Sequence, residues 1–99
     1  MRFDIDPDAR LEFLDASEWY EASVPGLGAR FIAEFERGVY LLLDSPRLGA
    51  PFGRRLRRFV LNDGFPYSIV YTIRGDVLLV IAVAHSARRP GYWRRRAAR

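Results

Sequence analysis

The sequence predicts an α+β domain: a short N-terminal strand, a two-helix hairpin, then a three-stranded antiparallel meander with the helices packed on the sheet. Three observations predict it. Apolar residues recur at three- and four-residue spacing from Ala9 to Leu43, with a break at Pro25-Gly26. Three strand-like runs follow, 54–61, 65–73 and 77–85, separated by Asn62-Asp63-Gly64 and Arg74-Gly75-Asp76, each carrying the Gly that a tight reversal favours. The run from Val77 to Ala84 is apolar on both faces, the pattern of the most buried strand.

Residues 2–5 read as the first strand, with Phe3 and Ile5 on one side. Asp6-Pro7 then starts a helix, Asp6 as the N-cap and Pro7 at the first helical position, where its missing N–H costs nothing. Ala9, Phe13, Ala16 and Tyr20 form its inward stripe. Asp8, Glu12, Asp15, Glu18 and Glu21 cover much of the remainder and read as a solvated face; no His stands among them to complete a metal site. The second helix carries Leu27, Phe31, Phe35, Val39, Leu42 and Leu43, with Ile32 beside them, and Pro46 marks its end. Residues 47–53 read as a Gly/Pro-rich loop. No repeat or linker divides the chain, so residues 1–99 are expected to form one domain, with 94–99 as a flexible basic tail.

Composition removes several chemistries. Among 99 residues there is no Cys, no Lys and one His, which excludes disulfides, thiolate nucleophiles and Schiff bases. The longest apolar run, eight residues, is far too short to span a bilayer, and Met1-Arg2-Phe3-Asp4 is not an apolar leader, so a cytoplasmic protein without membrane contact is expected. Charge is segregated. Residues 1–44 hold four Arg against ten acids, and residues 45–99 hold twelve Arg against two acids. A basic second half suits phosphates or an acidic partner.

Four segments carry a family resemblance. Phe65-Pro66-Tyr67-Ser68-Ile69-Val70-Tyr71 resembles the FPYxIxY strand of RelE/ParE-superfamily toxins, and the stretch from Ile81 to Trp93, with His85, Arg88, Pro90 and Tyr92-Trp93, resembles their AVxHxxRxPxYW ending. Pro25 to Phe31 is similar to the start of the family's second helix, and Trp19-Tyr20 to the aromatic end of its first. The resemblance implies the toxin of a bacterial type II toxin–antitoxin pair. RelE-like members cut messenger RNA on the ribosome; ParE-like members block DNA gyrase and perform no known chemistry. Both imply a cognate antitoxin with an acidic, partly disordered segment, in a hetero-oligomer, and neither implies a cofactor or a metal.

Metal-free RNA cleavage needs a proton acceptor, a proton donor and cations around the phosphate. The candidates are His85, whose side-chain type titrates near neutrality, then Arg88 for the phosphate and Tyr92, which the resemblance matches to a tyrosine of the RelE-like ribonucleases. Arg54, Arg55, Arg57, Arg58 and Arg89 are the candidate RNA and phosphate contacts, their guanidinium forks suiting phosphate oxygens. The reading puts the Arg54–Arg58 strand beside the site. Against the ribonuclease pattern, Ser68 and Ser86 stand where RelE-like enzymes carry arginines. The ribonuclease is the leading expectation and gyrase inhibition its alternative, in which His85 is only a strand-end residue and Tyr92 and Trp93 pack the tail onto the sheet.

Overall fold

The computed structural model describes residues 1–98. Strand β1 (Arg2–Ile5) leads into helices α1 (Pro7–Ser23) and α2 (Leu27–Asp44), followed by β2 (Ala50–Pro51), β3 (Arg57–Val60), β4 (Tyr67–Arg74), β5 (Val77–His85) and a last turn of helix, α3 (Arg94–Ala97). The five strands form one sheet in the order β1-β5-β4-β3-β2. Strands β3, β4 and β5 form the expected antiparallel meander, and β1 joins β5 in parallel, from Arg2 opposite Val77 to Ile5 opposite Val80. Among the described residues, no helix is long and apolar enough to cross a membrane.

The start of α1 follows its sequence signals. Asp6 is extended, its side chain accepts the Asp8 N–H at 2.9 Å, and Pro7 opens the first turn. Helix α2 has no side-chain cap of its own, because Gly26 precedes it in the left-handed region at φ 88°. The Glu21 carboxylate of α1 takes that role, accepting the N–H groups of Gly26 (2.9 Å) and Gly28 (3.0 Å). Gly28 is also where the two helices meet: a Cβ there would lie 2.6 Å from the Ser17 carbonyl oxygen. The hairpin is thus closed by one carboxylate and one absent side chain.

The hairpin covers one sheet face. Phe31, Phe35, Val39 and Leu42 of α2 and Ala9, Ala16 and Tyr20 of α1 bury themselves with Ile69, Tyr71, Leu78, Val80 and Val83. Tyr71 is fully buried, and its hydroxyl donates to the Pro46 carbonyl (2.6 Å) and accepts from Gly49 N–H (3.0 Å), pinning the loop after α2. Glu34, buried on α2, accepts two hydrogen bonds from Arg37 and one from the Asn62 backbone N–H (2.6 Å). The Arg37 contact, more than the opposing burial, holds this carboxyl below its ordinary range.

Three expectations change in detail. The 47–53 loop contains the two-residue strand β2, paired with Arg57 and Arg58. The run expected as a strand from Arg54 begins instead with a tight loop, in which Phe52 N–H donates to the Leu56 carbonyl and Gly53 and Arg55 adopt φ of 81° and 59°. Arg54 and Arg55 therefore lie on a turn. Finally, most of the expected flexible tail is docked: residues 94–97 form α3, and Arg96 is held against α1. Arg99, expected in that tail, lies outside the described residues.

Candidate functional site

Strand β1 shields the edge of β5 only as far as Val80. Beyond it the chain turns into α1, so on that side residues 81–83 have no neighbouring strand, while β4 still pairs on the other. Buried backbone groups without partners are costly, and two side chains close the gap. The Glu12 carboxylate of α1 accepts the Val83 N–H at 3.0 Å, and Arg96 donates to the Ile81 carbonyl at 3.2 Å.

The same carboxylate gathers the C-terminal segment. Arg96 donates to it through both terminal nitrogens, at 2.8 and 3.2 Å. The Tyr92 hydroxyl donates at 2.6 Å and Arg88 at 3.3 Å. The Arg88 guanidinium carbon also lies over the Tyr92 ring, 3.7 Å from its centroid. The side chains of Glu12 and Arg96 are each 13% exposed, while Arg88 is 54% exposed. Burial first, then the hydrogen bond to Glu12 and its charge, push the Tyr92 phenol far above the ordinary tyrosine range, against the opposing pull of Arg88 and Arg96. Next to it, Trp93 is buried on the sheet face away from the helices, with Leu56, Val70, Ile81, Ala82 and Ala84.

His85 ends β5 opposite Tyr67, with the two rings edge to face at 5.0 Å. Its Nδ1 accepts the Ala87 N–H at 2.9 Å, an arrangement that leaves Nε2 as the protonated nitrogen of the neutral ring. His85 shares a shallow cleft with Glu12, Asp15, Trp19, Tyr67 and Arg88. The structure therefore does bring His85, Arg88 and Tyr92 to one end of the sheet, with Glu12 between them. Chemically, a phenol donating to a carboxylate is a hydrogen-bond donor and not a base, while Arg88 pairs with the same carboxylate but stays half-exposed.

The basic cluster is elsewhere. Arg57 faces Tyr71, four residues along β4 from the Tyr67 that faces His85. At ~3.3 Å per residue this is about 13 Å, with another strand to cross. Arg57 donates to the carbonyls of Gly49 (2.7 Å) and Arg47 (3.1 Å), which is a structural duty. Arg58 stacks over Phe52, with its guanidinium carbon 4.7 Å from the ring centroid. Arg54 and Arg55 are exposed on their turn, and Arg89 is exposed on the turn after β5. The expectation that the Arg54–Arg58 strand adjoins the His85 site is corrected by the strand order.

Glu12 and Arg96, which complete this cluster, are not among the residues the sequence singles out: Glu12 reads as part of the polar face of α1 and Arg96 as part of a basic tail. Among the described residues, no group of three or more His, Asp and Glu side chains converges as a metal-binding set.

An N-terminal strand, a helical hairpin on one face of a β-meander and a C-terminal segment clamped at the edge of β5 define a toxin of the RelE/ParE superfamily. More narrowly, the chain belongs to the family of ParE toxins of type II toxin-antitoxin systems, parDE, whose profile matches residues 3–90. A solved structure described as the chromosomal ParDE TA system from P. aeruginosa shares the fold, with a TM-score of 0.72 at 15% identity over 86% of this chain and 95% of that chain. No curated protein sequence matches the chain.

Proposed function

We propose that this chain arrests growth by binding DNA gyrase, without cutting RNA, and that a cognate antitoxin holds it inactive. The observation that carries this reading is the state of Tyr92 and Arg88. In the ribonuclease alternative these two groups serve the reacting phosphate, yet both are engaged by Glu12, and the phenol proton is held more tightly than in water. Ser68 and Ser86, where the ribonuclease pattern has arginines, point the same way. Membership of the ParE family supports the antitoxin and is compatible with the gyrase target.

The test is growth arrest on induced expression, comparing the wild type with His85→Gln and Tyr92→Phe while message integrity and plasmid topology are followed. A gyrase binder leaves messages intact, changes plasmid supercoiling, and keeps toxicity in both variants once folding is verified. A ribonuclease shows rapid message cleavage, reduced by about 10²–10⁴ when a proton-transfer group is lost.

A further inference from the structure

On the sheet face away from the helices, two clefts of about 600 and 470 Å³ join into one furrow, sharing Arg54, Leu56 and Ala97. Four guanidiniums follow it: Arg94 in the first cleft, Arg54 at the junction, and Arg55 and Arg74 in the second. All four residues are exposed. Among the described residues, no Asp or Glu lines either cleft. The two acids of residues 45–99 are drawn elsewhere: Asp76 pairs with Arg2 at 3.6 Å, and the charge of Asp63 acts on Arg37. The ion pairs of Arg2, Arg37, Arg88 and Arg96 do not involve Arg54, Arg55 or Arg94, while Arg74 donates to the Ala97 carbonyl at 2.6 Å. The backbone is shaped to present these cations. Arg55 sits in the left-handed region at φ 59°, and the Thr72 hydroxyl donates to its carbonyl at 2.6 Å. Gly91, at φ 89°, leaves room for Arg94, whose Nε would lie 2.9 Å from a Cβ there.

We infer that this furrow binds the phosphate backbone of duplex DNA, so that the toxin touches both gyrase and the duplex on which gyrase works. Several guanidiniums in succession without a carboxylate suit a polyanion with regularly repeated charges better than a single small anion. Single strands are bound by cations combined with exposed aromatic faces on which bases stack. Neither aromatic ring of the furrow offers such a platform: Trp93 is 5% exposed, and Arg58 covers Phe52 with its guanidinium carbon 4.7 Å from the ring centroid. Leu56 is buried as well, so an acidic peptide would find partners for its carboxylates but little apolar surface to anchor in. A duplex backbone asks for neither a stacking face nor an apolar anchor. Where the duplex is met rests on the gyrase reading above; the charge pattern of the furrow does not.

The test titrates the purified chain into a short fluorescent DNA duplex across a salt series. Three to four phosphate contacts predict a slope of about −3 in log affinity against log salt. Arg54→Glu with Arg94→Glu should weaken duplex binding by about 10-fold at low salt and flatten that slope, with circular dichroism showing the fold kept. Arg10→Glu with Arg30→Glu makes the same charge change at exposed positions of the helical hairpin and should leave the slope unchanged. In supercoiling assays the furrow variant should need about 10-fold more protein for half-inhibition, yet bind gyrase alone as the wild type does. Amide shift changes on adding duplex to the wild type, which need no variant, should centre on residues 52–56 and 91–97. No duplex binding, shifts centred elsewhere, or equal loss from the hairpin variant would overturn the furrow and leave the gyrase reading standing. Duplex binding at the furrow without inhibition of supercoiling would support the furrow while the gyrase reading fails. Tighter binding of single-stranded RNA, or of polyglutamate at matched charge, would overturn the choice of duplex DNA.

Discussion

Replacing Glu12 by Gln keeps the size of the side chain and removes the charge on which the C-terminal segment converges. Its consequences differ by partner. The amide oxygen can still accept from Val83 N–H, so the β5 edge is not wholly orphaned. Arg96, only 13% exposed, loses its main counter-charge and keeps only Asp8, at 3.8 Å and half-exposed. Hydrogen bonds to charged groups contribute about 1.5–3 kcal/mol, and breaking fully buried pairs costs about 3–5 kcal/mol. The exposed Arg88 pair adds at most about 1 kcal/mol. An overall loss of about 2–3 kcal/mol follows for this partly buried cluster, equivalent to roughly 10–20 °C in Tm for a domain of this size. Circular dichroism melting and urea titration measure it. Ultraviolet titration of the phenols adds a local readout, since the Tyr92 hydroxyl should ionise at lower pH without the carboxylate, though burial still holds it high. A variant with unchanged Tm and an unchanged phenol titration would refute the clamp.

Three further outcomes are expected. Phe35→Ala removes a ring buried at 5% exposure and packed 4.5 Å from Phe13, and should cost about 3–5 kcal/mol in chemical denaturation; a loss under 1 kcal/mol would mean the hairpin does not cover the core as described. Gly28→Ala places a methyl 2.6 Å from the Ser17 carbonyl, so α1 and α2 must move apart and Tm should fall; an unchanged or higher Tm contradicts the close approach. Glu34 has a folded pKa below its ordinary 4.5, so it contributes stability above that pH and loses it as pH falls further. The stability-versus-pH curve of Glu34→Gln should therefore be flatter than wild type below about pH 4.5, and parallel curves would count against the Arg37 contact.

Elements whose signals are local were legible in the sequence. Asp6-Pro7 caps α1, and the doubly apolar run at 77–84 is the central strand, because N-capping and strand periodicity depend on neighbours a few residues away. Glu12 was not legible. Its partners Val83, Arg88, Tyr92 and Arg96 lie between 71 and 84 positions away, and nothing on α1 distinguishes it from the solvated Asp15 or Glu18. The need for Glu12 arises only once β1 stops at Val80 and exposes the edge of β5. Similarly, four arginines in five positions announce a basic patch, but only the register shows Arg57 bonded to carbonyls and the patch on a different strand from His85. Nor does the sequence show that Arg88 and Tyr92 share a carboxylate from α1, a contact that exists only in the folded chain.

The proposed binding to gyrase is tested most directly by DNA supercoiling with purified gyrase titrated with the purified chain, in parallel with translating ribosomes loaded with a defined message. Saturable inhibition of supercoiling with the message intact, retained by Tyr92→Phe, is the predicted result. Cleavage of the message with supercoiling untouched, abolished by His85→Gln or Tyr92→Phe, would contradict it.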